Sequence, residues 1–143
     1  MAILNYTTQI DPQKTVGEIQ AKLAKAGVAG YSVQLANGEP VAVVFTIELH
    51  GQYVNYRLPS RWEGVYKVLS RDKSIERKYR TEEQAKRVAW RIVKDWIESQ
   101  LAFIEAGLAE LPEVFLPYAV RPDGRTIYDE FKRTLPELGE GRQ

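Results

Sequence analysis

The chain has no cysteine and a single histidine, His50, among its 143 residues. Without thiols, disulfides, thiolate catalysis and cysteine-held metals are excluded. One histidine removes histidine-cluster metal sites and argues against a serine triad, and His50 stands before a glycine, where it reads first as a turn residue. No apolar run approaches the ~18 residues of a membrane-spanning helix, and the opening residues lack a signal-peptide pattern, so the expectation is a cytoplasmic protein. Formal net charge is only +1, so any grip on nucleic acid or nucleotide has to come from a local patch. A phosphate-binding glycine loop is also missing. Gly27-x-x-Gly30 follows a helical pattern instead of a strand, and no serine sits in a nucleophile elbow. The pairs Glu82-Glu83 and Asp129-Glu130 read as helix-surface charges. The sequence therefore points away from an enzyme, and no cofactor or metal is expected.

What is present is organised around one stretch. From Thr81 to Leu111 apolar residues recur at helical spacing: Ala85, Val88, Ala89, Ile92, Val93, Trp96, Ile97, Leu101, Ile104 and Leu108. Thr81 and Gln84 form a capping-box pattern at its start, Gly107 is a point of fraying or bending, and Pro112 stops it, which predicts a helix of about 30 residues spanning ~45 Å. Such a helix would overhang a domain of this size or pack on another chain. Its charge is polarised. Arg71 to Lys94 holds nine basic and four acidic residues, and Asp95 to Glu113 holds five acids and no base. Either the charges line a solvated face, or they serve subunit pairing or anion binding.

Upstream, Ile3–Ile10 alternates and is expected to be a first strand. Thr15 and Glu18 give a capping box for a short helix with Val16, Ile19 and Leu23 inward, ended near Gly27. A three-stranded meander follows, with turns at Asn37-Gly38 and His50-Gly51. Its apolar face needs a helical cover, and Gln34, Thr46, Glu48, Asn55 and Arg57 make the other face wet. Ser60 and Glu63 suggest a further capping box, so residues 61–70 are expected to be helical. Beyond Pro112, residues 113–120 read as an extended apolar segment. Pro122-Asp123-Gly124 reads as a turn, and Thr126 as the cap of a last short helix. The fold class is thus α+β: an N-terminal antiparallel meander of three to four strands packed by short helices, then one long helix. Residues 1–135 form a single domain, with a disordered tail over 136–143.

Aromatic and arginine residues recur together. Arg57, Arg61 and Trp62 flank the corner at Pro59. Phe115, Tyr118, Arg121 and Arg125 follow the long helix. Arg87, Arg91 and Lys94 share a face of that helix with Trp90 beside them, a second anion site or an interface. A base stacks on an aromatic ring and a phosphate takes a bidentate arginine, so these groups suit a nucleotide. The plain alternative is that Trp62 and Trp90 are core or interface residues. Two further readings stay open: a single-stranded nucleic-acid binder using Arg71 to Lys94, and a structural oligomer or protein inhibitor.

The stretches MAILNYTTQID, RLPSRWEGVYKVL, TEEQAKRVAWRIVKDWIESQLAFIEAGL and EVFLPYAVRPDGRT together resemble bacteriophage proteins, specifically the Thoeris anti-defence sponge family, first type. That resemblance covers nearly the whole chain and rests on overall pattern instead of a short motif. It implies a homo-oligomer, a dimer or higher up to a hexamer, acting in the host cytoplasm for immune evasion. Such a protein sequesters cyclic ADP-ribose isomers made by TIR-domain sensors, without degrading them. Some members also hold cyclic oligonucleotides. In the family an aromatic after the long helix contacts the ligand, which here is Phe115. A polar contact further on falls at Arg125, where the family pattern has Asn. An arginine near the sheet-to-helix corner corresponds to Arg61, or to Arg57.

Overall fold

The computed structural model describes residues 2–140, with side chains up to residue 135. It is an α+β fold. Helix α1 (Pro12–Lys25) leads into β1 (Gly30–Ala36), β2 (Glu39–Leu49) and β3 (Gln52–Pro59), then α2 (Trp62–Arg71). After a single 3-10 turn at Arg77–Tyr79 come α3 (Glu82–Glu105), α4 (Leu111–Phe115), a second 3-10 turn at Leu116–Tyr118 and α5 (Ile127–Glu140). The sheet order is β1-β2-β3, antiparallel throughout. Both hairpins turn through two residues with positive φ, Asn37 and Gly38, then His50 and Gly51. These are the conformations that tight hairpins require and that Asn and Gly adopt at least cost.

The register places Val43 opposite Leu58, Phe45 opposite Tyr56 and Ile47 opposite Val54, so these share one face of the sheet. Val16, Ile19 and Leu23 of α1 and Trp90 and Ile97 of α3 cover that face and complete the main core. A second, smaller core joins Leu69 of α2, Ile75 and Ala85 with the half-buried Ile3, Tyr6, Trp62 and Tyr79.

Several sequence expectations change. Residues 3–10 form no strand. They run as turn and irregular chain, held where buried Gln84 donates from Nε2 to the carbonyls of Tyr6 and Thr8, each at 2.9 Å. With that use of its side chain, Gln84 leaves the expected capping box half-made: Thr81 Oγ1 accepts from the Gln84 amide at 3.1 Å, and nothing returns. Helix α1 begins earlier than Thr15, because Asp11 caps it and Pro12 fills its first turn, where a missing N–H costs nothing. Ser60 does not cap α2, since Arg61 holds the cap position and no side chain bonds the first amides there.

The long helix has 24 residues, ~36 Å, and ends well before Pro112. Gly107 at φ 77 lets the chain reverse: the Leu108 amide donates to Phe103 and the Gly107 amide to Ile104, the double closure that ends helices on a left-handed residue. Pro112 instead opens α4, which Glu110 and Glu113 cap reciprocally, so residues 113–118 are helical turns and only Ala119 and Val120 keep the expected extended form. The chain then covers the middle of the free edge of β3, with Ala119 bridging Tyr56 and the Val120 amide donating to Asn55 at 2.8 Å. Thr126 and Asp129 cap α5 reciprocally, as Thr126 suggested. Helix α5 runs through the start of the expected tail, whose last three residues lie outside the described residues.

Candidate functional site

The basic residues of α3 are answered from within the chain. Arg91 Nη1 meets Glu18 at 2.5 Å and Thr15 Oγ1 at 3.2 Å on α1. Lys94 pairs with Glu98, which also faces Lys22 at 3.7 Å. The Glu98 carboxyl is held below its usual range by the Lys94 hydrogen bond, with the nearby cations adding to it. Arg87 donates to Gln84 at 3.1 Å. Trp90 is 1% exposed and donates to the Pro40 carbonyl at 3.3 Å. Of the residues expected to form a second anion site, Arg91 ties α3 to α1 and Trp90 ties it to the sheet, whereas Arg87 and Lys94 bond to Gln84 and Glu98 of α3 itself.

The seven residues expected to bind a ligand fall into three places. Phe115 is fully buried, edge-on to Phe45 at 5.4 Å and to Trp96 at 5.6 Å, and has no face free for a base. Half-buried Tyr118 also lies edge-on to Trp96, at 5.8 Å.

Arg57, Arg121 and Arg125 converge on the turn before α5. Arg57 donates to the Gly124 carbonyl at 3.0 Å. Arg121 reaches Asp123 at 3.1 Å and Glu130 at 2.8 Å, and Arg125 lies 3.4 Å from Asp123. Hydrogen bonding from Arg133, helped by the charges of Arg121 and Arg125, lowers the Glu130 carboxyl to about 2. These arginines fasten the turn and already have oxygen partners.

Arg61 and Trp62 lie elsewhere, at the start of α2. Arg61 is exposed and Trp62 half-buried, edge-on to Tyr66 at 6.4 Å. Here the surface is concave. A cleft of about 300 Å³ is lined by residues including Asp11, Gln13, Glu83 and Arg87, and a hollow of about 170 Å³ by Ala36, Asn37, Ser60 and Trp62 among others. Glu39, Pro40, Lys86 and Trp90 line both.

The shared wall is a latch. Lys86 Nζ sits 2.7 Å from Glu39 and 5.1 Å from the centre of the Trp62 ring. The hydrogen bond to Glu39 and its charge raise the Lys86 ammonium above its usual range, so it is a fixed cation at neutral pH. Buried Ser60 Oγ has no hydrogen-bond partner, and the α2 amides beside it have no side-chain cap. Together these supply an aromatic face, a cation and spare polar groups within one depression. A hollow of about 460 Å³ lies between the C-terminal parts of α1 and α3, lined by Lys22, Lys25, Leu101, Ile104 and Leu111 among others, but it brings no aromatic ring.

Sequence reading missed Lys86, Glu39 and Ser60. Lys86 carries no sequence signal of its own, and only the fold brings Glu39, the first residue of β2, against it.

No family model matches the chain, and neither a curated protein nor a solved structure matches it. Among the described residues no helix is long and apolar enough to cross a membrane, and no group of three His, Cys, Asp or Glu could hold a metal ion.

Proposed function

We propose that the chain is a non-catalytic binder of a phosphorylated nucleotide, seated across the two depressions that share the Lys86 wall. The resemblance narrows the ligand to a cyclic ADP-ribose isomer or related cyclic nucleotide, held without turnover as a phage anti-defence sponge in the bacterial host. One observation carries the reading: the Lys86 ammonium stands between the Trp62 ring and Glu39, beside the uncapped start of α2. A phosphate competes with Glu39 for Lys86 and gains the free amides of a helix start. A base gains the Trp62 ring. Releasing the Lys86–Glu39 pair costs little, since partly exposed ion pairs contribute ~0–1 kcal/mol. It also joins the two depressions into one of the size that ligand sites require, ~300–1,000 Å³. This reading keeps Trp62, adds Lys86 and Ser60, leaves Arg61 outside the lining, and leaves Phe115 to the core.

The test is a thermal-shift panel of cyclic ADP-ribose isomers, cyclic di- and trinucleotides, ADP-ribose and a short single-stranded DNA. A ligand at a hundred times its Kd stabilises the fold by ~2.7 kcal/mol. The expected result is a shift with a cyclic nucleotide that is recovered unmodified, lost in Lys86→Gln while the ligand-free melting point stays put. Absence of any shift would sink the proposal, and conversion of the ligand would make the chain an enzyme.

A second reading has its own observation. Arg71, Lys73 and Arg77, between α2 and α3, are exposed and have no acidic partner among the described residues. That is the footprint of a polyanion site. A shift with DNA alone, falling steeply with salt, would favour single-stranded nucleic acid.

A further inference from the structure

The two edges of the sheet are treated differently. The β3 edge is covered at its middle by Ala119 and Val120. The β1 edge is bare, and its sequence, Gly-Tyr-Ser-Val-Gln-Leu-Ala, holds no charge and no proline. Soluble proteins usually blunt an open edge with lysine, proline, a bulge or a cover, because unpaired backbone groups recruit another strand. In this sheet the register shift lies where Leu35 faces Pro40 and Gln34 faces Ala42, which puts the extra residue, Val41, on the central strand and leaves β1 regular. Pairing with β2 places Tyr31, Val33 and Leu35 on the core side, yet Tyr31 is 49% and Leu35 59% exposed. They lie at the edge, and no other strand pairs beside them among the described residues.

We infer that β1 pairs antiparallel with β1 of a second copy, joining two three-stranded sheets into one of six strands about a two-fold axis at Val33. The occupant is set by self-complementarity. A two-fold at Val33 puts Tyr31 of each copy opposite Leu35 of the other, an aromatic–aliphatic pair on the core side. Ser32 meets Gln34 on the polar side, and Gly30 meets Ala36. A slip of one residue sets Tyr31 against Gln34 and turns one strand inside out. Charge does not oppose the pairing, since β1 holds no charged residue and no like charges face each other across the axis. Ala36 and Asn37 line the smaller hollow, so the start of the second copy's β1 would lie beside its rim. The inference stands apart from the ligand reading, because the dimer is measured without any ligand.

The experiment is the solution mass of the full chain by light scattering, with circular dichroism to verify folding. Wild type is expected at twice the chain mass. Tyr31→Lys with Leu35→Lys sets like charges opposite each other at two exposed positions, and the mass should halve with the folded circular dichroism spectrum retained. Tyr31→Lys with Leu35→Glu makes those pairs attractive and should restore the dimer. A monomeric wild type, a dimer that survives the double lysine change, or a folded Lys/Glu variant that stays monomeric overturns the inference. Should the variants not fold, hydrogen exchange of wild type decides. Amides of residues 30–36 should slow as concentration rises, and rates independent of concentration overturn it.

Discussion

Truncating Phe115 to alanine distinguishes a ligand platform from a core residue. The ring is fully buried and meets Phe45 and Trp96 edge-on. An aromatic side chain hides ~150–250 Å² and apolar burial contributes ~25 cal/mol per Å², so the upper bound is ~4–6 kcal/mol. The retained methyl and a compact unfolded chain lower this, and buried Phe→Ala changes cost ~3–5 kcal/mol. Against a total stability of ~5–15 kcal/mol, the variant should be marginal but folded at low temperature. Urea unfolding followed by circular dichroism should show the midpoint falling by ~1.5–2.5 M for a slope of ~2 kcal/mol/M. Phe115→Leu, which refills most of the space, should recover more than half of that loss. A loss under ~1 kcal/mol, joined to weakened nucleotide binding, would refute the packing argument and return Phe115 to the ligand.

Three further outcomes follow from the structure. Gln84→Ala leaves the Tyr6 and Thr8 carbonyls without their donor and should cost ~2–3 kcal/mol, with faster protease cleavage before residue 11; unchanged cleavage would mean the strap is held otherwise. Glu130, lowered from 4.5 to about 2, binds its proton more weakly when folded. It therefore stabilises the fold above pH 4.5 and loses that effect as pH falls toward 2, so Glu130→Gln should flatten the melting-point decline over that window, and an unaltered decline would assign it to other carboxylates. Gly107→Ala forces a Cβ into left-handed backbone at φ 77 and should cost ~1–2 kcal/mol in urea unfolding, with no cost if α3 can run on toward Pro112.

The meander, its turns and the apolar faces of α1 and α3 were legible because period and turn chemistry are local. Residues 3–10 misled because alternation alone does not make a strand. They pair with no strand, and the Tyr6 and Thr8 carbonyls accept from Gln84 instead. Pro112 was read as a stop when proline equally starts helices, and the stop at Gly107 depended on a backbone angle that glycine permits but does not announce. The arginines were the hardest to read. Type and spacing mark Arg57, Arg91 and Arg121 as candidates for anions, but whether a cation is spare depends on what the fold sets against it. Here those partners are Gly124, Glu18 and Glu130, far apart in sequence or across a turn. The Lys86 wall was invisible for the same reason, since Glu39, Trp62 and Lys86 belong to three elements.

The seal over β3 also sets an order of events during synthesis. Strand β3 ends at Pro59, but the residues that close its edge, Ala119 and Val120, are translated only after α3 and α4. At ~5–20 residues per second a nascent chain therefore carries the three strand segments for several seconds before the residues that cover the β3 edge exist. Premature termination anywhere between β3 and Val120 leaves that state permanent, which makes such truncated chains prone to pair with one another instead of merely lacking a helix.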